Sequence, residues 1–239
     1  MNMIQGQSII LWRNADKEDR SFEEIALEIF EVLDLLQSYP EILRPNYLAV
    51  SSLKDAVKFR WDLQNFMDAL KRGVNKEKDR TFEDLGYSLS FFSSFNENAS
   101  CSIMVKAGMK NKLFYNTLII NLPLSFDLYD RWGAESAIEL FKGLAYKYRP
   151  LWGCISNDAM PVPQGKFLKG NIPTGIHWIN YWSKEVVDAI GMDRINKTVS
   201  LDPTVTFKDG FFLIKETAID INRKEDMQLC DNLNQLLFQ

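Results

Sequence analysis

The hydrophobic and polar positions change their period several times along the chain, and each change predicts a different element. The short apolar run of residues 7–12 (QSIILW) predicts a first strand. After a polar stretch, residues 21–24 (SFEE) form a capping-box pattern, and apolar residues then recur at helical spacing as far as Ser38. The same spacing predicts a second helix over residues 53–72.

The period falls to two after Leu85, where Tyr87, Leu89 and Phe91 alternate with serines. This alternation is typical of a strand. Residues 101–107 and 116–122 predict the next two strands. Three consecutive strands without an intervening helix favour an antiparallel meander over parallel winding.

The second half of the chain mixes both periods. Residues 134–148 predict a helix and residues 152–157 a short strand, while the prolines and glycines of residues 158–171 predict a long loop that could be functional. An aromatic strand is expected over residues 175–182. It leads into a helix over residues 184–190, with Ser183 as its N-terminal cap and Gly191 at its C-terminal end.

Near the C-terminus, residues 199–207 and 211–216 predict two strands joined at Asp209-Gly210, a strong signal for a tight hairpin turn. A final helix is expected over residues 225–237. The order of elements predicts an α+β fold in which a mostly antiparallel sheet packs with helices. We expect a single mixed domain over residues 1–239, with a possible subdivision near residues 164–174.

Composition and charge narrow the class of protein. The 239 residues are 46% hydrophobic and 25% charged, which is ordinary for a globular domain. The net charge of −4 provides no global basic field, so we expect no direct contact with nucleic acid. No apolar run approaches the length of about 18 residues that predicts a membrane-spanning helix, and no signal peptide precedes the first strand. We therefore expect a cytoplasmic protein without a membrane partner.

The residues that usually carry chemistry are sparse. His177 is the only histidine, and we expect a structural role for it within the aromatic strand. Cys101, Cys154 and Cys230 are widely spaced within apolar patterns, which indicates buried free thiols and neither a zinc site nor a disulfide scaffold. No nucleophile elbow, phosphate-binding loop or dinucleotide fingerprint is present. We predict no cofactor, no metal and no enzymatic activity.

Carboxylates are abundant, and they keep an alternative open. A carboxylate-dependent, metal-assisted hydrolase would need two or three of them in one pocket, which sequence alone does not reveal. A structural or regulatory partner protein is a further interpretation. The carboxylate clusters that could serve the hydrolase are Asp16, Glu18 and Asp19; Glu83 and Asp84; Asp127 and Asp130; and Asp220, Glu225 and Asp226.

Several segments, spread over residues 8 to 216, together resemble the immunity protein 52 family of bacterial polymorphic toxin systems. An early strand ends in Trp12-Arg13, and a turn after Gly73 leads through Gly86 into a strand. The apolar strand of residues 116–123 (NTLIINLP) closes on proline. Late in the chain, a tryptophan is followed by a proline, a glycine, a second tryptophan and a tyrosine, in that order. The residues that carry the resemblance are Trp12, Arg13, Gly86, Trp152, Gly175, Trp178 and Tyr181.

The resemblance implies an inhibitor that performs no chemistry and neutralises a cognate toxin in the bacterium that makes it. Related proteins suggest that the toxin is a nuclease with a restriction-endonuclease-like fold. We interpret the seven residues of the resemblance as scaffold. An acidic protein with aromatic anchors suits a basic nuclease surface. The candidates for contact with the toxin lie in predicted loops: Asp127, Tyr129, Asp130, Trp132 and Asp158.

Overall fold

The computed structural model describes residues 6–15, 20–49, 56–96, 99–158, 160, 167–168 and 172–238, and within these ranges it has the predicted α+β fold. The helices are α1 (Phe22–Asp34), α2 (Leu63–Arg72), α3 (Arg131–Tyr148), α4 (Lys184–Ile190), α5 (Met192–Leu201) and α6 (Lys224–Phe238). The strands are β1 (Gln7–Asn14), β2 (Tyr47–Leu48), β3 (Lys76–Glu77), β4 (Arg80–Thr81), β5 (Leu85–Phe92), β6 (Ser102–Met109), β7 (Tyr115–Asn121), β8 (Trp152–Asn157), β9 (Phe167–Leu168), β10 (Ile172–Pro173), β11 (Ile179–Trp182), β12 (Thr206–Lys208) and β13 (Phe211–Leu213).

Nine of these strands form one antiparallel sheet in the order β12-β13-β11-β8-β1-β7-β6-β5-β2. The predicted meander is present as β5, β6 and β7, which are neighbours in sequence and in the sheet. Strands on both sides of residues 164–174 belong to this sheet. Buried apolar side chains between Ile9 and Leu237 form one continuous hydrophobic cluster.

The two faces of the sheet are covered unequally. The face that carries Ile9 and Leu11 of β1, here called the inner face, packs against α1, α2 and α3. The opposite or outer face carries Ile10 and Trp12. On this face, α4 and α6 cover the β11–β13 end, where Trp182 packs against Phe238. The outer face of β5, β6 and β7 is left partly exposed.

Local signals at the helix ends worked as predicted. Ser21 and Glu24 form the complete capping box of α1, because each accepts a hydrogen bond from the other's backbone N–H. The Ser183 hydroxyl caps α4, and Gly191 follows its last residue with a positive φ of 92°. The hairpin between β12 and β13 turns at Asp209 and Gly210, whose φ angles are 53° and 84°.

Two predicted helix boundaries were wrong. The second helix begins at Leu63, because the Asp62 carboxylate accepts the backbone N–H of Asn65 and caps it there. Residues 56–61 precede the helix, and residues 53–55 lie outside the described part of the chain. The third helix begins at Arg131 instead of residue 134, since Asp130 caps it.

Two predicted strands were also wrong in extent. Residues 199–207 contain the end of α5, and only Thr206–Lys208 is strand, because Ile195 and Thr198 are buried one helical turn apart. The strand of residues 211–216 ends at Leu213. The aromatic strand begins at Ile179, four residues later than predicted. Much of the predicted loop 158–171 lies outside the described residues, although β9 lies within it and pairs with β10 directly after it.

The three cysteines are buried and free, as predicted. Removal from water raises the pKa of the Cys101 and Cys230 thiols to about 12, and burial also raises the pKa of Cys154. All three are therefore held as neutral thiols, which pack as small apolar groups.

We expect Trp178→Ala to reduce the free energy of unfolding by about 3–5 kcal/mol. The Trp178 side chain is only 2% exposed, and its indole N–H donates to the carbonyl of Lys215 at 2.9 Å, so truncation leaves a cavity and an unpaired acceptor. Urea unfolding followed by far-ultraviolet circular dichroism measures the change. Trp132→Ala is the matched control, because Trp132 is 71% exposed. A loss below about 1 kcal/mol for Trp178→Ala would contradict its scaffold role.

Candidate functional site

The predicted interface residues lie near one end of the sheet, where β1 begins and β7 and β8 end. The Tyr129 hydroxyl contacts the Gln7 side-chain amide at 3.4 Å, and Asp158 accepts a hydrogen bond from the Ser8 hydroxyl at 2.8 Å. Gln7 and Ser8 are adjacent in β1, so two distant loop residues reach the same strand end. We call this region the strand-end surface, defined by Asp127, Tyr129, Asp130, Trp132 and Asp158.

The two aspartates of the β7–α3 connection have local structural roles. One Asp127 carboxylate oxygen accepts the backbone N–H groups of Tyr129 and Asp130 at 2.9 and 3.3 Å. One Asp130 oxygen accepts the N–H groups of Trp132 and Gly133 at 3.1 and 3.4 Å, which caps α3. These bonds hold the turn and place Trp132 in the first turn of a long helix, not in a loop as expected. Its large side chain remains exposed on a rigid support.

A row of polar side chains extends from the strand-end surface across the outer face. Asn121 of β7 donates to the Ser102 hydroxyl of β6 at 2.7 Å. Ser8 of β1 lies 2.8 Å from both the Asn121 amide oxygen and the Asp158 carboxylate. A hydroxyl has one hydrogen, so Ser8 donates to one of these two acceptors at a time. The row connects the strand-end surface to β6 through four neighbouring positions.

The three tryptophans among the scaffold residues differ in their surroundings. Trp12 on β1 stacks on Tyr115 with ring centroids 5.6 Å apart and lies 5.3 Å from Trp152 of β8. The Trp152 ring in turn meets His177 edge-on at 5.8 Å. The rings of Tyr115, Trp12 and Trp152 lie on the outer face toward the end opposite the strand-end surface, and His177 contacts the last of them. Trp178 lies in the core.

The remaining scaffold residues also have packing roles. Arg13 points to the inner face, where it pairs with Glu28 of α1 at 2.6 Å and lies 5.0 Å above the Tyr148 ring. Burial alone would raise the pKa of Glu28, but the hydrogen bonds and charges of Arg13 and Arg20 outweigh it and lower that pKa. Tyr181 packs edge-on against Phe211 at 5.0 Å.

The two glycines of the resemblance lie where a side chain would fit poorly. Gly86 has a φ of 65°, and a Cβ there would overlap the carbonyl oxygen of Ala107 on the paired strand. Gly175 is buried in the irregular segment before β11.

His177 lies before β11 and not within a strand as expected. The Asn180 side chain accepts the His177 backbone N–H at 3.2 Å and donates to its carbonyl at 2.8 Å, so it satisfies the backbone that a strand neighbour would otherwise pair. The residue as a whole is partly exposed, but its Nδ1 is enclosed without a hydrogen-bond partner among the described residues. This desolvation lowers the pKa of His177 to about 4, so the imidazole is neutral near pH 7.

The carboxylate clusters considered for a hydrolase are dispersed. Asp226 forms an ion pair with Lys215 and accepts the backbone N–H of Asp220 at 2.9 Å. Glu83 and Asp84 are exposed in a turn, while residues 16–19 lie outside the described ranges. Among the residues that the structure describes, no three His, Cys, Asp or Glu side chains are grouped so that they could hold a metal ion. In the same ranges, no helix is both long and apolar enough to span a bilayer.

Sequence reasoning missed a second surface, the exposed outer face of β5, β6 and β7. A groove of about 440 Å³ lies there, beside the hairpin that joins β6 to β7. Its walls include Met104 and Ile119 on the strands and Leu113 and Phe114 in the hairpin. The serines that alternate along β5 were the available signal, because they predict a face without a covering layer. We call this region the open sheet face.

We expect His177 to make the protein less stable as the pH falls from about 6.5 to about 4. Between pH 6.5 and about 4, His177 is protonated in the unfolded chain but stays neutral in the folded protein, so a falling pH favours unfolding. Above pH 6.5 the imidazole is neutral in both states, and His177 then adds no pH dependence to the free energy of unfolding. Urea unfolding at several pH values measures the free energy of unfolding of the wild type and of His177→Gln. The carboxylates titrate in both proteins, so the difference between the two pH profiles is the effect of His177. Identical pH dependence in the two proteins would contradict the enclosed, neutral imidazole.

Comparison with known proteins yields a likeness of fold. No family model matches the chain, and no curated protein matches it in sequence. A solved structure described as "Pseudomonas aeruginosa T6SS protein PA0821" is similar, with a TM-score of 0.54 and 15% sequence identity. The match covers 98% of this chain and 73% of the other. At this identity the likeness establishes a common fold, so the chain has a distant structural neighbour among type VI secretion system proteins.

Proposed function

We propose that this chain is an immunity protein that binds and neutralises a cognate polymorphic toxin in the cytoplasm of the producing bacterium. The toxin that the resemblance to the immunity protein 52 family suggests is a nuclease with a restriction-endonuclease-like fold. The protein acts by binding alone, without a cofactor. Two features support this proposal: the similarity to a T6SS protein along nearly the whole chain, and the character of the strand-end surface.

The strand-end surface is the observation that carries the proposal. Trp132 is 71% exposed, and tryptophan is among the residues that contribute most to the binding energy of protein interfaces. An isolated tryptophan on the surface of a monomer exposes apolar area that a partner could bury. The cap on α3 fixes its backbone, so docking of a partner orders only the side chain.

Charge also suits a nuclease partner. Asp127, Asp130 and Asp158 lie with Trp132 on the strand-end surface, in a chain whose net charge is −4. Proteins that bind nucleic acid hold phosphates with basic side chains, and an acidic surface attracts such a site and competes for it. Complementary charge of this kind accelerates association and selects the partner. The aspartates would surround the site and Trp132 would anchor it.

We expect co-expression of this chain with the toxin domain encoded beside its gene to rescue bacteria from killing, with the two proteins purifying as one complex. Trp132→Ala should weaken that complex at least about 30-fold, because truncation of a central interface tryptophan costs roughly 2 kcal/mol or more. Growth after induction and isothermal titration with the purified toxin domain measure the two effects.

Leu201→Ala is the matched control, because Leu201 is a 65% exposed apolar side chain on α5. Its affinity for the toxin should equal that of the wild type. Continued killing in the presence of well-expressed, folded wild-type protein would refute the pairing. Full binding by Trp132→Ala would leave the immunity function intact and remove the strand-end surface as its anchor.

A further inference from the structure

The open sheet face has the wrong chemistry for a surface that only meets water. A sheet with one solvated face carries polar side chains on that face, as Ser88 and Ser90 of β5 do. The two neighbouring strands depart from this pattern, with Met104 39% exposed on β6 and Ile119 beside it on β7. The hairpin between these strands adds Leu113, which is 83% exposed, and Phe114.

These apolar side chains are contiguous, which separates them from scattered exposed residues. Met104 and Ile119 are directly opposite each other in the β6–β7 register, and both line the groove that Leu113 and Phe114 border. Exposed apolar groups that cluster around a depression are typical of surfaces that bind another molecule. Burial of such groups contributes about 25 cal/mol for each Å² removed from water.

The charge of this surface differs from that of the rest of the protein. Lys106 is the one charged residue among those that line the groove, and it is exposed on β6 two residues after Met104. Lys112 lies beside Leu113 in the hairpin. Neither lysine forms an ion pair among the described residues, although the chain as a whole is acidic. The complementary partner therefore carries a carboxylate next to an apolar side chain.

Charge and shape disfavour other occupants. A second copy that docked through the same surface would bring two sets of Lys106 and Lys112 together, since symmetric dimers place a patch against itself. Single-stranded nucleic acid needs a series of exposed rings for its bases. Three residues that line the groove carry rings, Trp12, Phe114 and Tyr115, but Trp12 and Tyr115 stack on each other, and of the three only Phe114 is exposed.

We propose that the open sheet face binds a segment of the toxin that presents an apolar side chain adjacent to a carboxylate. The apolar side chain lies against Met104, Ile119 and Phe114, and the carboxylate pairs with Lys106. This inference rests on the proposed immunity function and adds a contact beyond the strand-end surface. The polar row from Ser102 to Asp158 lies between β6 of the open sheet face and the strand-end surface.

The test measures the affinity of the toxin domain encoded beside this gene for two charge variants. Lys106→Glu and Met104→Asp should each raise the Kd about 10-fold or more, because one reverses the ion pair and the other places a charge in the apolar contact. Lys208→Glu is the matched control: it makes the same charge change on an exposed strand lysine at the far edge of the sheet, and it should leave the Kd unchanged. Thermal unfolding confirms that all three variants remain folded.

The outcomes separate the two proposals. Wild-type affinity in both open-face variants, together with loss of binding in Trp132→Ala, overturns the open sheet face as a contact and leaves the immunity function standing. Absence of binding and rescue by the wild type overturns both. Gel filtration of the chain alone, and titration with a single-stranded oligonucleotide, complete the test. A dimer that Met104→Asp dissociates, or oligonucleotide binding that Lys106→Glu abolishes, would assign the surface to another occupant.

Discussion

β1 is hydrogen-bonded along both of its edges, to β7 on one side and β8 on the other, and the rest of the fold depends on this double pairing. The alternation of side chains along β1 decides which face of the sheet meets which layer. Ile9 and Leu11 are buried in the core. Arg13, on the same face, forms an ion pair with Glu28 of α1 and so links this helix to the sheet. A register shift of one residue would place Trp12 in the position of this arginine and remove one of the two arginines that pair with the half-buried Glu28.

The same register arranges tryptophans across the outer face. Trp12, Trp152 and Trp182 are directly opposite one another on β1, β8 and β11, so three large rings follow one line across the sheet. At the Trp182 end, Phe212 and Phe238 bury the line beneath α6. At the Trp12 end, Tyr115 of β7 carries the line onto the open sheet face. The outer face is thus divided between a part sealed beneath α6 and an exposed part that carries polar, aliphatic and aromatic side chains.

Local signals in the sequence predicted local structure well. Ser21, Ser183 and the Asp209-Gly210 turn act through neighbours within a few residues, so their patterns were sufficient. The errors arose where a distant or competing partner decided the outcome. Asn180 clamps the backbone of His177 and keeps that residue out of β11, and an amide that does this has no distinctive spacing. Hydrophobic periodicity alone also could not separate the end of α5 from a strand.

The sequence predicted some residues of the candidate surfaces but not how the fold brings them together, because that also depends on distant partners. Tyr129 and Asp158 were selected by composition, but their convergence on Gln7 and Ser8 depends on the pairing of β1 with β7 and β8. Alternation along β5 predicted a strand, but its serines were not used to predict a face that meets solvent. It did not predict the bare face of β6 and β7, because helix coverage is decided by the lengths and positions of α4, α5 and α6 at the other end of the sheet.

A protein that acts by binding alone must hold its contact groups in place before the partner arrives, since each side chain ordered on binding reduces the affinity. In the two surfaces, the backbone beneath the contact groups is fixed in different ways. Trp132 is carried by the capped first turn of α3, and Met104 stands on a strand that is paired on both sides. The Ser8–Asn121–Ser102 row of side-chain hydrogen bonds lies across the strand ends between them. An acidic aromatic surface and a lysine-bearing apolar surface on one protein would then demand a partner with both complements, which favours one cognate protein over many.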